Sequence, residues 1–176
     1  MKYFKKIIGE RLYLSPISKD DAEIFTKWMN DREITDRLHG TFRMNTIEIE
    51  EQWIENAQKG YNFSIVLNDD TLIGNISLMS VNEIDGTATI GLFIGEKENR
   101  GKGYGSEALK LILDFGFNVL RLHNIKLDVF DFNENAIACY KKLGFKEYAR
   151  RHESYFLNGE YHDELSLEML DRDFNK

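Results

Sequence analysis

The chain has 176 residues, with 30 Asp plus Glu against 23 Lys plus Arg and a formal net charge of −7. That length suits one domain with a real core, and 42% hydrophobic with 12% aromatic residues excludes a disordered chain. The acidic balance argues against a nucleic-acid groove, and the single cysteine, Cys139, excludes an internal disulfide and points to a reducing compartment.

Glu10 to Ser15 alternates with period 2 and predicts a first strand, stopped by Pro16. Ser18-Lys19-Asp20-Asp21 resembles a helix start with an acidic first turn, and Ala22, Phe25, Trp28 and Met29 follow at helical spacing. Residues 30–46 read as irregular and polar. A second helix is expected over about 46–59, ending at Gly60. Three strands are expected at 61–67, 71–81 and 87–94, the first two joined as a hairpin by Asn68-Asp69-Asp70. A strong helix follows over 103–120, then a strand over 124–130 and a short helix over 135–143 closed by Gly144. A last hairpin spans 148–157 and 161–169 about Asn158-Gly159. The unit from Thr87 to Phe130 reads as a parallel β-α-β crossover, so the class is mixed α/β or α+β. No repeat or linker divides the chain, so residues 1–176 read as one domain with a core over about 9–170. The N-terminus has no apolar signal segment, and no run reaches the ~18 apolar residues of a span. A cytoplasmic protein without a membrane partner is the expectation.

The most informative segment is Arg100-Gly101-Lys102-Gly103-Tyr104-Gly105, set between a strand and a helix. Backbone N–H groups at a helix N-terminus bind anions, and glycine lets that backbone approach a phosphate. Arg100 and Lys102 add positive charge. The run reads as a pyrophosphate cradle, against the plainer reading of a strand-to-helix turn. It is not the Walker pattern, because Lys102 lies inside the loop, which disfavours a nucleotide hydrolase. It is not the dinucleotide pattern either, because the glycines fall at 101, 103 and 105.

Arg100, Gly103 and Gly105 match the Q/R-x-x-G-x-G/A pattern, and here the chain resembles the GNAT acetyltransferases, which use acetyl-coenzyme A. The resemblance extends to Ile90-Gly91-Leu92-Phe93-Ile94, similar to the family's fourth strand, and to Asp131 to Phe145, similar to its N-x-x-A-x-x-x-Y-x-x-x-G-F element. It implies a GNAT fold: a central twisted mixed sheet of about six to seven strands, flanked by helices on both faces. It implies that the backbone of Arg100, Gly101, Lys102, Gly103, Tyr104 and Gly105 holds the pyrophosphate. Leu92, Phe93 and Ile94 would hold the pantetheine, Asn133 would touch the cofactor, and Tyr140 would sit near the thioester sulfur as the catalytic residue. It would give the departing thiolate a proton or a strong hydrogen bond, against the plainer reading of a core aromatic on a helix. The implied activity is transfer of an acetyl group to a primary amine by direct attack in a ternary complex. The alternative is a non-catalytic acyl-coenzyme A sensor.

An alkyl ammonium with pKa ~10.4 is neutral about one part in 10³ at pH 7, a handicap near 4 kcal/mol. A base, a desolvated pocket or a water relay must therefore help. Many relatives carry Glu where this chain has Thr89, and threonine is no base. Glu83, Asp85, Glu153 and His162 are the nearby candidates, with a water wire ending at a carboxylate as the working expectation. Cys139 is expected to be a buried helix cysteine rather than a nucleophile.

The run Tyr155 to Asp163 resembles the closing hairpin of two branches, the ribosomal-protein N-terminal acetyltransferases and the bacterial spermidine acetyltransferases. The acceptor that this resemblance implies is a protein N-terminal amine or a small amine such as a polyamine. Trp28, Glu33, Tyr155 and His162 are the candidate substrate-binding residues, with Asp31, Asp36, Phe42, Glu48, Glu50, Glu51 and Tyr161 in the same regions. For Trp28 the competing reading is core packing, and for Glu48, Glu50 and Glu51 a solvated helix face. His39, His123 and His152 lack metal-ligand spacing, so no metal is expected. A homodimer is the assembly that the resemblance implies.

Overall fold

A computed structural model describes residues 2–38, 40 and 42–174; His39, expected at the surface, lies outside them. The elements are β1 (Ile7–Ile8), β2 (Leu12–Pro16), α1 (Ala22–Met29), α2 (Arg32–Thr35), α3 (Ile47–Ala57), β3 (Tyr61–Leu67), β4 (Leu72–Asn82) and β5 (Thr87–Ile94). They continue with α4 (Tyr104–Asp114), β6 (Asn124–Phe130), α5 (Glu134–Leu143), β7 (Lys146–Leu157), β8 (Glu160–Leu170) and α6 (Asp171–Phe174). Along its hydrogen bonds the mixed sheet has eight strands in the order β1-β2-β3-β4-β5-β6-β8-β7. The count exceeds the expected six to seven because the two-residue β1 adds a short antiparallel rung to β2, Ile7 opposite Leu14 and Ile8 opposite Tyr13.

The chain forms two compact units, residues 1–79 with 91–112, and residues 80–90 with 113–176. In the first, β2 pairs antiparallel with β3 from Leu12↔Leu67 to Pro16↔Phe63. Leu12, Tyr13, Leu14 and Ser15 are all fully buried, so this strand is covered on both faces rather than one. Ser18 accepts from Asp20 N–H and opens a 3₁₀ turn that leads into α1. Phe25 and Trp28 of α1 pack with Ile54 and Ala57 of α3, both helices being laid on Tyr13 and Val66. Burial of a side chain such as Phe25 or Ile54 contributes roughly 1.5–3 kcal/mol. Thr46 caps α3 by accepting from Ile49 N–H.

In the second unit, β6 shows the period of a half-buried strand: Ile125, Leu127 and Val129 are buried while Lys126 and Asp128 face out. It pairs antiparallel with β8 along its whole length, Asn124↔Leu170 to Phe130↔Glu164. It also pairs in parallel with the start of β5, as the crossover reading requires, through Thr87↔Asn124, Ala88↔Ile125 and Thr89↔Lys126. That ladder ends at Thr89, although β5 runs on to Ile94 and β6 to Phe130. The helix expected over 103–120 is α-helical only to Asp114; Phe115–Val119 form a π-helical turn. Among the described residues no helix is long and apolar enough to cross a membrane.

Candidate functional site

In the first unit, β5 ends at Ile94, a 3₁₀ turn spans Lys97–Asn99, and Arg100 to Gly103 lead into α4. Gly101 and Gly103 have φ of +74° and +82°, the left-handed region that a side chain strains. A Cβ at Gly101 would meet nothing within 4 Å, so the backbone there is open to a large partner. The α4 ladder begins with Glu107 N–H donating to Gly103 O at 3.1 Å, so the amides of Gly103, Tyr104 and Gly105 lie ahead of it. Lys102 is exposed. Open amides, a helix N-terminus and a lysine form a donor set that fits a pyrophosphate.

The Arg100 side chain does something else. Its Nε donates to Ile94 O at 3.2 Å, its Nη2 donates to Gly95 O, and its Nη1 meets Glu33 Oε2 at 3.2 Å. Arg100 therefore ties the loop back onto the end of β5, and the Glu33 carboxylate, which Lys97 also approaches at 3.5 Å, offsets its charge.

Sequence reasoning missed Arg11, which reaches the same loop from the residue just before β2. Its Nη1 donates to Lys102 O at 2.9 Å, and its guanidinium lies over the Tyr104 ring, 4.9 Å from the centroid. Its Nε donates to Glu107 Oε2 at 2.8 Å, while the Glu10 and Arg11 amides both donate to Glu107 Oε1. Burial pushes the Glu107 carboxyl up, but the Arg11 hydrogen bonds outweigh it and hold the group below the ordinary Glu range. Glu107, the acid in the first turn of α4, is thus tied to Arg11.

Leu92, Phe93 and Ile94 are half-buried at the end of β5. The Phe93 ring packs edge-on against Phe25 and Trp28, 6.1 and 5.7 Å between centroids. This corrects the substrate-binding role for Trp28: at 1% exposure it belongs to the core, and its Nε1 donates to Glu96 at 3.1 Å. Lys27 shares that carboxylate and, with Trp28, lowers the Glu96 pKa. Asp31 caps α2 through Glu33 N–H, Asp36 pairs with Arg32, and Phe42 is 80% exposed. Glu48 is exposed and Glu51 half-buried. Glu50 is a second correction: it lies buried on α3 rather than on a solvated face, and burial raises its pKa against the pull of Arg43.

In the second unit, Asn133 occupies the N-cap position of α5, where its backbone O accepts from Ala136 and Ile137. Tyr140, on the same helix, packs edge-on with Phe145 at 6.0 Å. Among the described residues its hydroxyl has no hydrogen-bond partner, and burial pushes its pKa up to about 12. Cys139 is half-buried rather than buried. Thr89 pairs with Lys126 in the ladder.

The last hairpin brings Tyr155 opposite His162. Tyr155 stacks on Phe130 at 4.0 Å and near Phe132 at 6.4 Å, and the His162 ring meets Phe132 edge-on at 4.8 Å. His162 Nδ1 lies 3.2 Å from Asp131 Oδ1. Two expected residues, Tyr155 and His162, are thus joined by two unexpected ones, Asp131 and Phe132. Of the other proposed bases, Asp85 accepts from Asn82 in the β4–β5 turn, Glu83 is exposed beside it, and Glu153 sits exposed in a bulge of β7, its backbone N–H donating to Asp163 Oδ1. Tyr161 faces outward with Phe156. Among the described residues no group of three metal-ligating side chains occurs.

Residues 11–146 match the family described as "Acetyltransferase (GNAT) domain". The chain is 27% identical over 165 residues to the spermidine N(1)-acetyltransferase of Vibrio cholerae serotype O1, covering 93% of this chain and 95% of that one. A crystal structure of spermidine N-acetyltransferase from Vibrio cholerae in complex with CoA and spermine is similar at TM-score 0.86 and 25% identity, covering 94% of this chain and 99% of that one. A dodecameric structure of the Vibrio cholerae enzyme is similar at TM-score 0.79 and 26% identity, covering 94% and 97%. The chain belongs to the GNAT acetyltransferases and is an acetyl-coenzyme A-dependent N-acetyltransferase.

Proposed function

We propose that this acetyltransferase acts on a primary amine of a polyamine or similar small polycation, and that Asp131, Phe132, Tyr155 and His162 receive that amine. The observation that carries the reading is this cluster of a carboxylate, aromatic faces and an imidazole. An ammonium group is attracted both by a carboxylate and by an aromatic face, by about 0.5–2 kcal/mol for the latter. The net charge of −7 favours the approach of a polycation, and the similarity to spermidine acetyltransferases over most of the chain points the same way.

Acetyl-coenzyme A, when bound, supplies an activated thioester. The amides of Arg100 to Gly105 and Lys102 would bind its pyrophosphate, and the backbone of Leu92, Phe93 and Ile94 would hold its pantetheine and stabilise charge developing on the acetyl oxygen. Asn133 would contact it from the start of α5. Asp131, with His162 beside it, would accept the amine proton directly or through water. Tyr140 would donate a hydrogen bond to the departing sulfur. Its pKa of about 12 lies far above the ~8.5 of an alkyl thiol, so the proton stays on the phenol.

The test is thiol release from acetyl-coenzyme A with a panel of spermidine, spermine and peptides carrying free N-termini. Turnover with the polyamines, and a KM for them raised about tenfold or more in Asp131→Asn with little change in KM for acetyl-coenzyme A, is expected. Turnover with the peptides alone would replace the polyamine reading with an N-terminal acetyltransferase, and thioester binding without turnover on any amine would return the sensor reading. We also infer self-association, which gel filtration reads directly, and a cytoplasmic site of action, in keeping with the single cysteine.

A further inference from the structure

We propose that Arg11 is a positioning residue for the coenzyme: by holding the Lys102 carbonyl it aims the Gly103 amide at the pyrophosphate. The argument starts from the peptide plane. The carbonyl of Lys102 and the N–H of Gly103 belong to one rigid trans peptide and point in opposite directions. Arg11 Nη1 holds that carbonyl at 2.9 Å. The Gly103 N–H is thereby turned away from Arg11, on the other side of the plane.

Without this contact, the glycines on both sides of Lys102 would let the peptide flip. Arg11 is itself fixed. Its Nε and backbone amide grip the two oxygens of Glu107, one turn into α4, and its guanidinium lies on the Tyr104 ring. Strand β2, loop and helix are therefore joined through one side chain whose planar fork serves two acceptors at once. Although 47% of the side chain is exposed, it is anchored by three groups, the Glu107 carboxylate, the Lys102 carbonyl and the Tyr104 ring, rather than by one surface ion pair. A lysine at this position reaches one of the two acceptors, the Lys102 carbonyl or the Glu107 carboxylate, but not both.

This inference rests on the proposal that the loop holds the pyrophosphate, so the experiment separates the two. CoA affinity is measured by calorimetry, and kcat and KM are measured with two donors, acetyl-coenzyme A and S-acetylpantetheine, which lacks the phosphates. In Arg11→Met, the Kd for CoA and the KM for acetyl-coenzyme A rise about tenfold or more, while kcat at saturation stays within about twofold. The kcat/KM with S-acetylpantetheine stays near the wild-type value, because that donor never meets the loop. Equal losses with both donors would show a merely structural role, and no loss with either would remove the role altogether; each overturns the proposal. If Arg11→Met fails to fold, Arg11→Lys decides: an intermediate loss of CoA affinity supports the proposal and wild-type affinity overturns it. Gly103→Val is the control for the loop. If CoA affinity survives that change, the pyrophosphate site lies elsewhere and both readings fall; if it is lost there but not in the Arg11 variants, the Arg11 role alone falls.

Discussion

The indole of Trp28 lies so close to Gly95 that a Cβ at position 95 would fall 2.1 Å from its Cε2. The end of β5 is thus moulded on a core tryptophan, whose Nε1 reaches past it to Glu96. Gly95→Ala forces the ring or the backbone to move. Overpacking of this kind costs about 1–3 kcal/mol, and each kcal/mol shifts the Tm of a chain this size by about 2–4 °C. A Tm lowered by several degrees in a thermal melt is the expected outcome, with Trp28 fluorescence altered in the folded state. A variant as stable as wild type would show that the contact relaxes freely.

Acetyl-coenzyme A should raise the Tm of the wild-type protein. A ligand that binds only the native state stabilises it by RT ln(1 + [L]/Kd), about 2.7 kcal/mol at one hundred times Kd. The shift should saturate the binding site and grow logarithmically with ligand beyond it. In Gly103→Val it should shrink sharply, because a side chain at φ of +82° strains the loop by about 1–3 kcal/mol and disturbs its amides. An equal shift in both proteins would count against the loop as the phosphate site.

Tyr140→Phe removes a hydroxyl that has no hydrogen-bond partner among the described residues, so the fold should tolerate it. A hydrogen bond to a charged group contributes about 1.5–3 kcal/mol, so kcat should fall roughly 10- to 100-fold with KM for acetyl-coenzyme A little changed. The loss should be uniform from pH 6 to 9, since a phenol with pKa about 12 keeps its proton throughout. Full kcat in the variant would exclude the assigned role.

Glu50 is held in the core with a raised pKa. A carboxyl whose folded pKa exceeds its unfolded value gives full stability below the unfolded value, ~4.3 for Glu, and loses it as pH rises through the folded one. At neutral pH the ionised group is therefore a cost. Glu50→Gln should raise the urea midpoint at pH 7, and the two proteins should converge near pH 4. A variant less stable at pH 7 would show instead that Arg43 compensates the buried charge.

Elements with a local signal were legible in the sequence. β3, β5 and β6 have the expected bounds, and Asn158-Gly159 turns the last hairpin with both φ values positive. The glycine loop ahead of α4 was legible because its glycines, its lysine and the helix behind it are contiguous. Features built by distant residues were not. Arg11 contacts residues more than ninety positions away, and in an alternating strand it reads as one more outward charge. Asp131 and Phe132 gain meaning only when the hairpin lays His162 and Tyr155 beside them. Glu50 carries no mark in the sequence that separates it from Glu48, because its burial depends on how α3 is rotated against the core. The π-helical turn after Asp114 was hidden for another reason: one extra residue per turn hardly alters an apolar pattern.

The order β6-β8-β7 places the strand made last between two made earlier. Among the described residues β7 has no strand neighbour other than β8, and from Lys146 to Glu153 its residues are exposed. During synthesis, therefore, β6 waits with the backbone N–H and C=O groups of its β8 edge unpaired from Asn124 to Phe130 until residues 160–170 emerge. Removing β8 would take a central plank from this unit rather than trim its margin. A ribosome-stalled chain ending before Glu160 should be open to proteases in this unit, and one that includes Leu170 should be guarded.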